Sequence, residues 1–399
     1  MQEFLEKLWQ TIFWKINRNI VPFLIRAKYG HFLEIKGDKI PKAPFIFVAN
    51  HANFLDPWIV CHLSKVPVAI MMNEDGFKAS AFQRWYLKNI GAFPKKKGLS
   101  DISAMKKSIS AIKSGKTLMV FPEGQTSWDG ETQPIYSGIE KMAQKMGVPL
   151  VMCRIESNFV AHPWWADYGR KGQITVIVKV LDSKIVKEKS SDDLRSEIIN
   201  HIKNEDVEIS HYKKFTGKNL VSGMQNFIWL CPSCSEKENL KFIGNTVSCE
   251  KCGANFLFNA NLWLVNPINS VRNLHHWVKI QKKFVKEAVK NANESEILCE
   301  NDKIRLIQND YSGRITVLDI GKLRISKEKL EFCGDSAKIE IPVSEIAAPV
   351  FQHKDIVQFE YPNGELKFQF LESPMMKTLF FLRELTGFAE VEERGYFIN

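Results

Sequence analysis

From residue 31 to about residue 215 the chain keeps one rhythm: short apolar runs alternate with helical stretches. FLEIKG, PFIFVAN, VPVAIMM, TLMVFPEG, VPLVMCRI and QITVIVKVL are the runs, while 79–90, 101–114 and roughly 191–204 carry apolar residues at helical spacing. Nearly continuous apolar runs suit strands covered on both faces, and interleaved helices supply the cover. The expectation is an α/β domain over 31–215, a mixed sheet flanked by helices. Ligand sites in such sheets collect at the ends of the parallel strands.

The remainder of the 399 residues is more than one ordinary domain needs. Residues 1–30 read as amphipathic helix, with Phe4, Leu5, Leu8, Trp9, Ile12, Phe13 and Ile16 at three- and four-residue spacing and a second apolar patch from Ile20 to Ile25 across Pro22. Lys7, Lys15, Arg18, Arg26 and Lys28 outnumber Glu3 and Glu6 there. Aromatic and basic residues on one short helix suit a bilayer interface, although packing on the next domain would use the same residues. The basic residues interrupt the first apolar run and no small-residue cleavage site follows, so no cleaved leader is expected. Without a run of eighteen uncharged apolar residues, no transmembrane helix is expected either. The net charge of +10 and pI near 9.0 favour a polyanionic partner, be it nucleic acid, a phosphorylated substrate or an anionic membrane.

Cysteine usage points to metal. Cys231, Cys234, Cys249 and Cys252 form CxxC-x14-CxxC, while Cys61, Cys153, Cys299 and Cys333 are scattered. Two chelating pairs on two turns make a closed tetrathiolate zinc site, structural rather than catalytic, and imply a reducing compartment. CEKCGANF, with Gly253 after the last cysteine and Phe256 beyond, resembles the second knuckle of a zinc ribbon, which places a ribbon over 228–260. Lys237, Lys241 and Lys251 balance Glu236, Glu238 and Glu250, which argues against nucleic acid as its partner. Residues 261–293 read as a basic helical linker, where His275, His276 and Trp277 suit an interfacial contact or packing on a neighbour. From 294 to 390 come the runs KIRLIQ, RITVLDI, KLRISKEKLEF, KIEIPVSEI, IVQFEY and ELKFQF, then a helix over 373–385. This predicts a mainly β, barrel-like domain with a capping helix. Its order resembles the pleckstrin-homology superfold, whose members bind lipids or proteins, and leaves a protein partner open to that domain.

The chemistry sits in the α/β region. His51 and Asp56 follow the strand PFIFVAN within NHANFLD, and an imidazole paired with a carboxylate is a general base whose tautomer is held. The spacing alone serves equally for Asp56 capping a loop ahead of Pro57. FPEGQTS (121–127) begins where TLMV ends, setting the Glu123 carboxylate at a strand end beside Gly124, which allows close backbone approach. Between them GAFPKKKG (91–98) offers Lys95, Lys96 and Lys97 in a turn-rich loop, a solvated face or a phosphate contact.

In order and spacing, NHANFLD, GAFPKKKG, FPEGQTS and VPLVMCRI resemble the four blocks of the glycerolipid acyltransferases typified by 1-acylglycerol-3-phosphate acyltransferase: NHxxxxD, a block ending in a basic residue before glycine, FPEGTRS, and a block in which proline, here Pro149, follows valine. The resemblance covers 31–215 and implies a peripheral O-acyltransferase of phospholipid or membrane-lipid biosynthesis at the cytoplasmic face of a membrane. It makes His51 the base that deprotonates a lipid hydroxyl and Asp56 its orienting carboxylate. Acyl-CoA or acyl carrier protein would be the donor, membrane lipids the partners, and no covalent acyl-enzyme forms. It assigns Asn50 to the turn and Glu123 and Gly124 to the acceptor, with Lys95, Lys96, Lys97, Gln125 and Thr126 around them. Gln125-Thr126 depart from the family's Thr-Arg, and Lys97 stands where arginine is commoner. Only arginine grips a phosphate bidentately, so the acceptor ranges from 1-acylglycerol-3-phosphate to another lysolipid or a glycolipid. The competing reading is a catalytically idle membrane adaptor working through its ribbon and C-terminal domain, against which the intact His51, Asp56 and Glu123-Gly124 argue.

Overall fold

A computed structural model describes residues 2–77, 80–95, 102–268, 271–309 and 314–388. The chain divides into two units: among the described residues the first runs up to Pro163 and resumes over Gly169–Thr216, and the second takes Trp164–Tyr168 with 217–388.

The first unit is built on seven strands: β1 (His31–Gly37), β2 (Ile46–Ala49), β3 (Val68–Asn73), β4 (Ala92–Lys95), β5 (Thr117–Val120), β6 (Leu150–Glu156) and β7 (Gly172–Leu181). They lie in the order β1-β7-β6-β2-β5-β3-β4, all neighbours parallel except β6 and β7. Every strand expected here forms, and GAFPKKKG contributes one more, because β4 pairs with β3 at the sheet's edge. An edge position tolerates Pro94, whose missing N–H would break the ladder of an inner strand. Lys96 and Lys97 lie outside the described residues.

Helices α2 (Asp56–Cys61), α3 (Ala81–Ile90), α4 (Ile102–Lys113), α5 (Ile139–Met146), α6 (Asn158–Ala161), α7 (Ser183–Glu188), α8 (Ser191–Ile202) and α9 (Asp206–Ile209) follow α1 (Gln2–Leu24). Their ends obey local chemistry: Ser80 caps α3 by accepting from the Gln83 N–H, and Ser190 caps α8 by accepting from that of Asp193. Ile46, Val48, Leu118, Leu150 and Met152 of the sheet pack with Ile139, Ala143, Leu194, Ile198 and Ile202.

Helix α1 uses its two faces differently. Trp14, Val21 and Ile25 are buried, the Trp14 indole donates to the Ser64 carbonyl at 3.2 Å, and Phe13 meets the rings of Trp85 and Tyr86 on α3. The opposite face leaves Leu5, Leu8, Trp9, Ile12, Ile16, Ile20, Phe23 and Leu24 exposed. Phe4 and Lys7 have side chains outside those described. Among the described residues no helix is long and apolar enough to cross a membrane.

In the second unit β8 (Leu240–Ile243), β9 (Thr246–Cys249) and β10 (Asn255–Leu257) form a small antiparallel sheet, and β11 (Trp263–Ile268) pairs with β12 (Val271–Asn273). Helix α10 (Leu274–Asn291) is therefore preceded by a hairpin, and the segment 261–293 is helical only over its later part. The Asn273 side chain caps α10 by accepting from the His276 N–H. His275 and Trp277 are buried, so they are packing residues.

Seven antiparallel strands follow: β13 (Cys299–Asn309), β14 (Ile315–Ile325), β15 (Lys329–Gly334), β16 (Lys338–Pro342), β17 (Ala347–Gln352), β18 (Ile356–Tyr361) and β19 (Gly364–Gln369), in the order β16-β15-β14-β13-β19-β18-β17. Helix α11 (Met375–Leu385) completes the arrangement the sequence predicts, burying Met376, Leu379, Phe380 and Leu382. Two details differ. RITVLDI and the following KLRI form the single strand β14, and AAPVFQ, which is not among the expected runs, forms the edge strand β17.

The ribbon shares a core with α10 rather than standing alone. Trp277 donates its indole N–H to the Leu230 carbonyl at 2.7 Å, and buried Gln281 accepts from the Trp229 and Leu230 N–H groups at 2.8 and 3.1 Å. Buried Lys377 on α11 pairs with Glu238 of the ribbon. Trp164–Tyr168 enter the same core: Trp165 is fully buried and stacks on Phe227, Trp164 stacks on Phe351, and Ser222 donates to Asp167 at 2.7 Å. Gly223, at φ +90°, passes so near the Trp165 carbonyl that a Cβ would overlap it.

Candidate active site

Strands β6, β2 and β5 are adjacent and parallel, so their C-terminal ends deliver three segments to one place. From β2 comes Asn50-His51, from β5 Phe121–Ser127, and from β6 Glu156–Asn158. Buried Asn50 ties two of these together, donating to the Ile155 carbonyl at 3.0 Å and accepting its N–H at 2.7 Å.

His51 Nδ1 lies 2.7 Å from Asp56 Oδ2. The same oxygen accepts the Ala52 and Asn53 N–H groups at 2.6 and 2.9 Å, while Oδ1 accepts from the Asn158 side chain. Asp56 is fully buried, and so many donors hold it as an acceptor. The ring nitrogen facing it is then the protonated one, which leaves Nε2 with the lone pair of a base. Phe121 stacks on the imidazole at 4.3 Å between centroids, fixing its plane from the β5 side.

Glu123 is engaged with the backbone on both sides. It is 1% exposed, and its two oxygens accept backbone N–H groups, Oε1 from His51 and Oε2 from Gln133, both at 2.6 Å. Burial pushes its carboxyl well above the usual carboxylate range, against the pull of those donors. Ser127 N–H donates to the His51 carbonyl at 2.8 Å, so the backbone of His51 is held on both sides by the FPEGQTS segment.

Gly124 sits at φ +67°, where a Cβ would come within 2.8 Å of the Tyr136 ring. Lys95 Nζ lies 5.8 Å from the centroid of that ring, so Tyr136 brings Lys95 and Gly124 into one neighbourhood. Gln125 is buried, and its side-chain oxygen has no partner among the described residues; Thr126 is half-buried. Sequence reasoning missed Phe121, Asn53, Ser127 and Asn158. The first three lie inside blocks already singled out, whereas Asn158 had no signal beyond following the fourth block.

The four cysteines converge in the second unit. Their sulfurs all lie within 4.8 Å of one another, at 3.8 Å for Cys231–Cys252 and for Cys234–Cys249. Zinc–thiolate bonds of about 2.3 Å in a tetrahedron place sulfurs about 3.8 Å apart, so the donor set fits zinc. Each knuckle is closed by its own backbone: Ser235 N–H reaches the Cys231 carbonyl and Gly253 N–H that of Cys249, both at 2.9 Å.

The profile of the Acyltransferase family matches residues 32–156. A chloroplastic 1-acyl-sn-glycerol-3-phosphate acyltransferase of Brassica napus is 29% identical over 153 residues, 37% of this chain and 40% of that protein. The chain thus spans well under half the length of this relative. Among solved structures, the 1-acyl-sn-glycerophosphate acyltransferase PlsC of Thermotoga maritima is similar at 23% identity and a TM-score of 0.41, covering 51% of this chain and 80% of that one. The Vps36 N-terminal PH domain is similar at 10% identity and a TM-score of 0.20, over 25% of this chain and 86% of that one. The match to the Acyltransferase family spans the His51–Asp56 loop, Glu123 and the strands that carry them, so it is this part of the chain that is similar to that family.

Proposed function

We propose that the protein transfers a fatty acyl group from a thioester donor, acyl-CoA or acyl carrier protein, to a hydroxyl of a lysolipid acceptor at a membrane surface. The observation that carries this is His51, its Nδ1 committed to buried Asp56 and its Nε2 left as the base. In the reaction the acceptor oxygen attacks the thioester carbonyl as Nε2 takes its proton. The thiolate then leaves as the tetrahedral intermediate collapses, and the proton passes from His51 to the departing sulfur.

The acceptor reading rests on three features. The curated relative acts, by its name, on 1-acyl-sn-glycerol 3-phosphate. Lys95 supplies a cation beside Gly124, but Gln125-Thr126 offer no guanidinium fork. A buried Gln125 oxygen without a partner among the described residues favours an acceptor that brings its own hydrogen-bond donor, such as a glycerol or sugar hydroxyl. Attachment to a membrane surface is supported by the exposed apolar face of α1, and the cytoplasmic face is part of the proposal. The zinc would serve to hold the ribbon.

The test is purified full-length protein with acyl-CoA or acyl carrier protein, a panel of lysolipids and glycolipids, and mass spectrometry of the products. Transfer to at least one acceptor is expected, with binding to anionic vesicles that falls when Trp9 and Ile16 are both changed to Ser. Absence of thiol release with every acceptor would overturn the enzyme reading in favour of an idle adaptor.

A further inference from the structure

Asp56 divides its work between two oxygens. Oδ2 takes the imidazole and two backbone N–H groups, whereas Oδ1 takes the Asn158 side-chain amide. Asn158 lies 102 residues from Asp56 in sequence, at the end of β6, and both side chains are fully buried. Water therefore offers no substitute donor to Oδ1.

The orientation of that amide is set by its neighbours. Leu55 N–H donates to Asn53 Oδ1 at 2.7 Å, which turns the Asn53 NH₂ outward. That NH₂ donates to the side-chain oxygen of Asn158 at 2.9 Å and to its backbone carbonyl at 2.8 Å. With its oxygen so occupied, Asn158 presents its NH₂ to Asp56. A flipped amide would set oxygen against carboxylate and NH₂ against NH₂. The backbone around Asn158 is anchored as well: buried Asp206 accepts from the N–H groups of Ser157 and Val160 on either side.

We infer that Asn158 is a positioning residue of the transferase site, acting through Asp56, and that Asn53 acts through Asn158. The relay runs from Leu55 N–H through two amides to the carboxylate and so to His51. It holds the carboxylate plane so that Oδ2 meets Nδ1 as His51 takes the acceptor's proton. Neither asparagine touches the reacting atoms. The inference rests on the acyl-transfer reading of His51.

The experiment uses the full chain and the acceptor that wild type accepts best. Asn158→Ala is expected to lower kcat by roughly 10- to 100-fold, the weight of a buried hydrogen bond to a charged group. KM for donor and acceptor should change less than about threefold, since only the transition state needs the relay. Asn53→Ala should lower kcat by a smaller factor, and the double variant should be no worse than Asn158→Ala alone. A wild type without transfer activity would remove the functional reading itself. An active wild type with kcat kept within twofold in Asn158→Ala, or a double variant whose loss is the product of the two single losses, would overturn the relay. If Asn158→Ala loses its cooperative melt, Asn53→Ala decides, because it leaves Asn158 in place: unchanged kcat there would sink the inference.

Discussion

The His51 loop and the zinc knuckles are both short polar segments in which a few atoms must be held closely, and they are held by opposite means. At His51 the chain supplies every restraint itself, with donors on both Asp56 oxygens, Glu123 and Ser127 on the His51 backbone, and Phe121 against the ring. In the ribbon four sulfurs converge on one point, and Trp277, Gln281 and Lys377 tie the segment to its surroundings. The first site can therefore stand before any ligand arrives. The second would need a metal ion to close it.

Removing zinc should have the largest effect and the most local one. Structural zinc contributes on the order of 10 kcal/mol to small metal-folded segments. A strong chelator, or Cys249→Ser, should release one equivalent of zinc and abolish amide-exchange protection over 228–260. Acyl transfer should persist within about threefold, and its complete loss would show that the ribbon shapes the catalytic site and erase the contrast.

Next in size, His51→Ala should lower kcat by about four orders of magnitude or more while the thermal melt stays within about 2 °C of wild type. A residual rate within tenfold of wild type would mean the base lies elsewhere.

A pH effect follows from Asp206, which anchors the Asn158 segment and whose carboxyl burial pushes up to about 6. Its folded-state value lies above the unfolded one, so the folded protein holds the proton more tightly. The contribution to stability is greatest below about pH 4 and is lost as pH rises through about 6, up to roughly 3 kcal/mol. Urea unfolding between pH 4.5 and 7.5 should show this downward slope, and Asp206→Asn should flatten it. A slope unchanged in the variant would assign it to other groups.

The smallest effect expected is that of Glu123→Gln, which keeps the shape but turns an NH₂ toward one of the two backbone donors. A loss of about 2 kcal/mol in stability and a fall in kcat are expected, with acceptor KM little changed. A selective rise in acceptor KM would instead return Glu123 to the acceptor-binding role that its family block implies.

Much of this was legible in the residues. Strand-like runs placed His51 and Glu123 at strand ends because periodicity reports burial directly, and the paired cysteines announced the four-sulfur cluster through their spacing. Asn158 was not legible, because an asparagine after a strand is ordinary in isolation. Only the adjacency of β2 and β6, a property of topology, carries it to Asp56. The backbone role of Glu123 was hidden for a related reason: a carboxylate in a loop looks the same whether it awaits a hydroxyl or pins a neighbouring N–H. Strands β4 and β17 are not among the expected runs; each contains a proline, Pro94 and Pro349, which an edge position tolerates.

The excursion of Trp164–Tyr168 bears on how this protein can be taken apart. A cut between Thr216 and Gly217 looks natural from sequence, since it separates the α/β region from all that follows. A fragment starting at Gly217 would lack Trp165, the ring stacked on Phe227, and the Trp164 ring on Phe351. A fragment ending at Thr216 would carry both indoles with nothing of their own core to bury them, and should be sticky. Dissecting the chain into transplantable modules would therefore fail at the boundary that invites it.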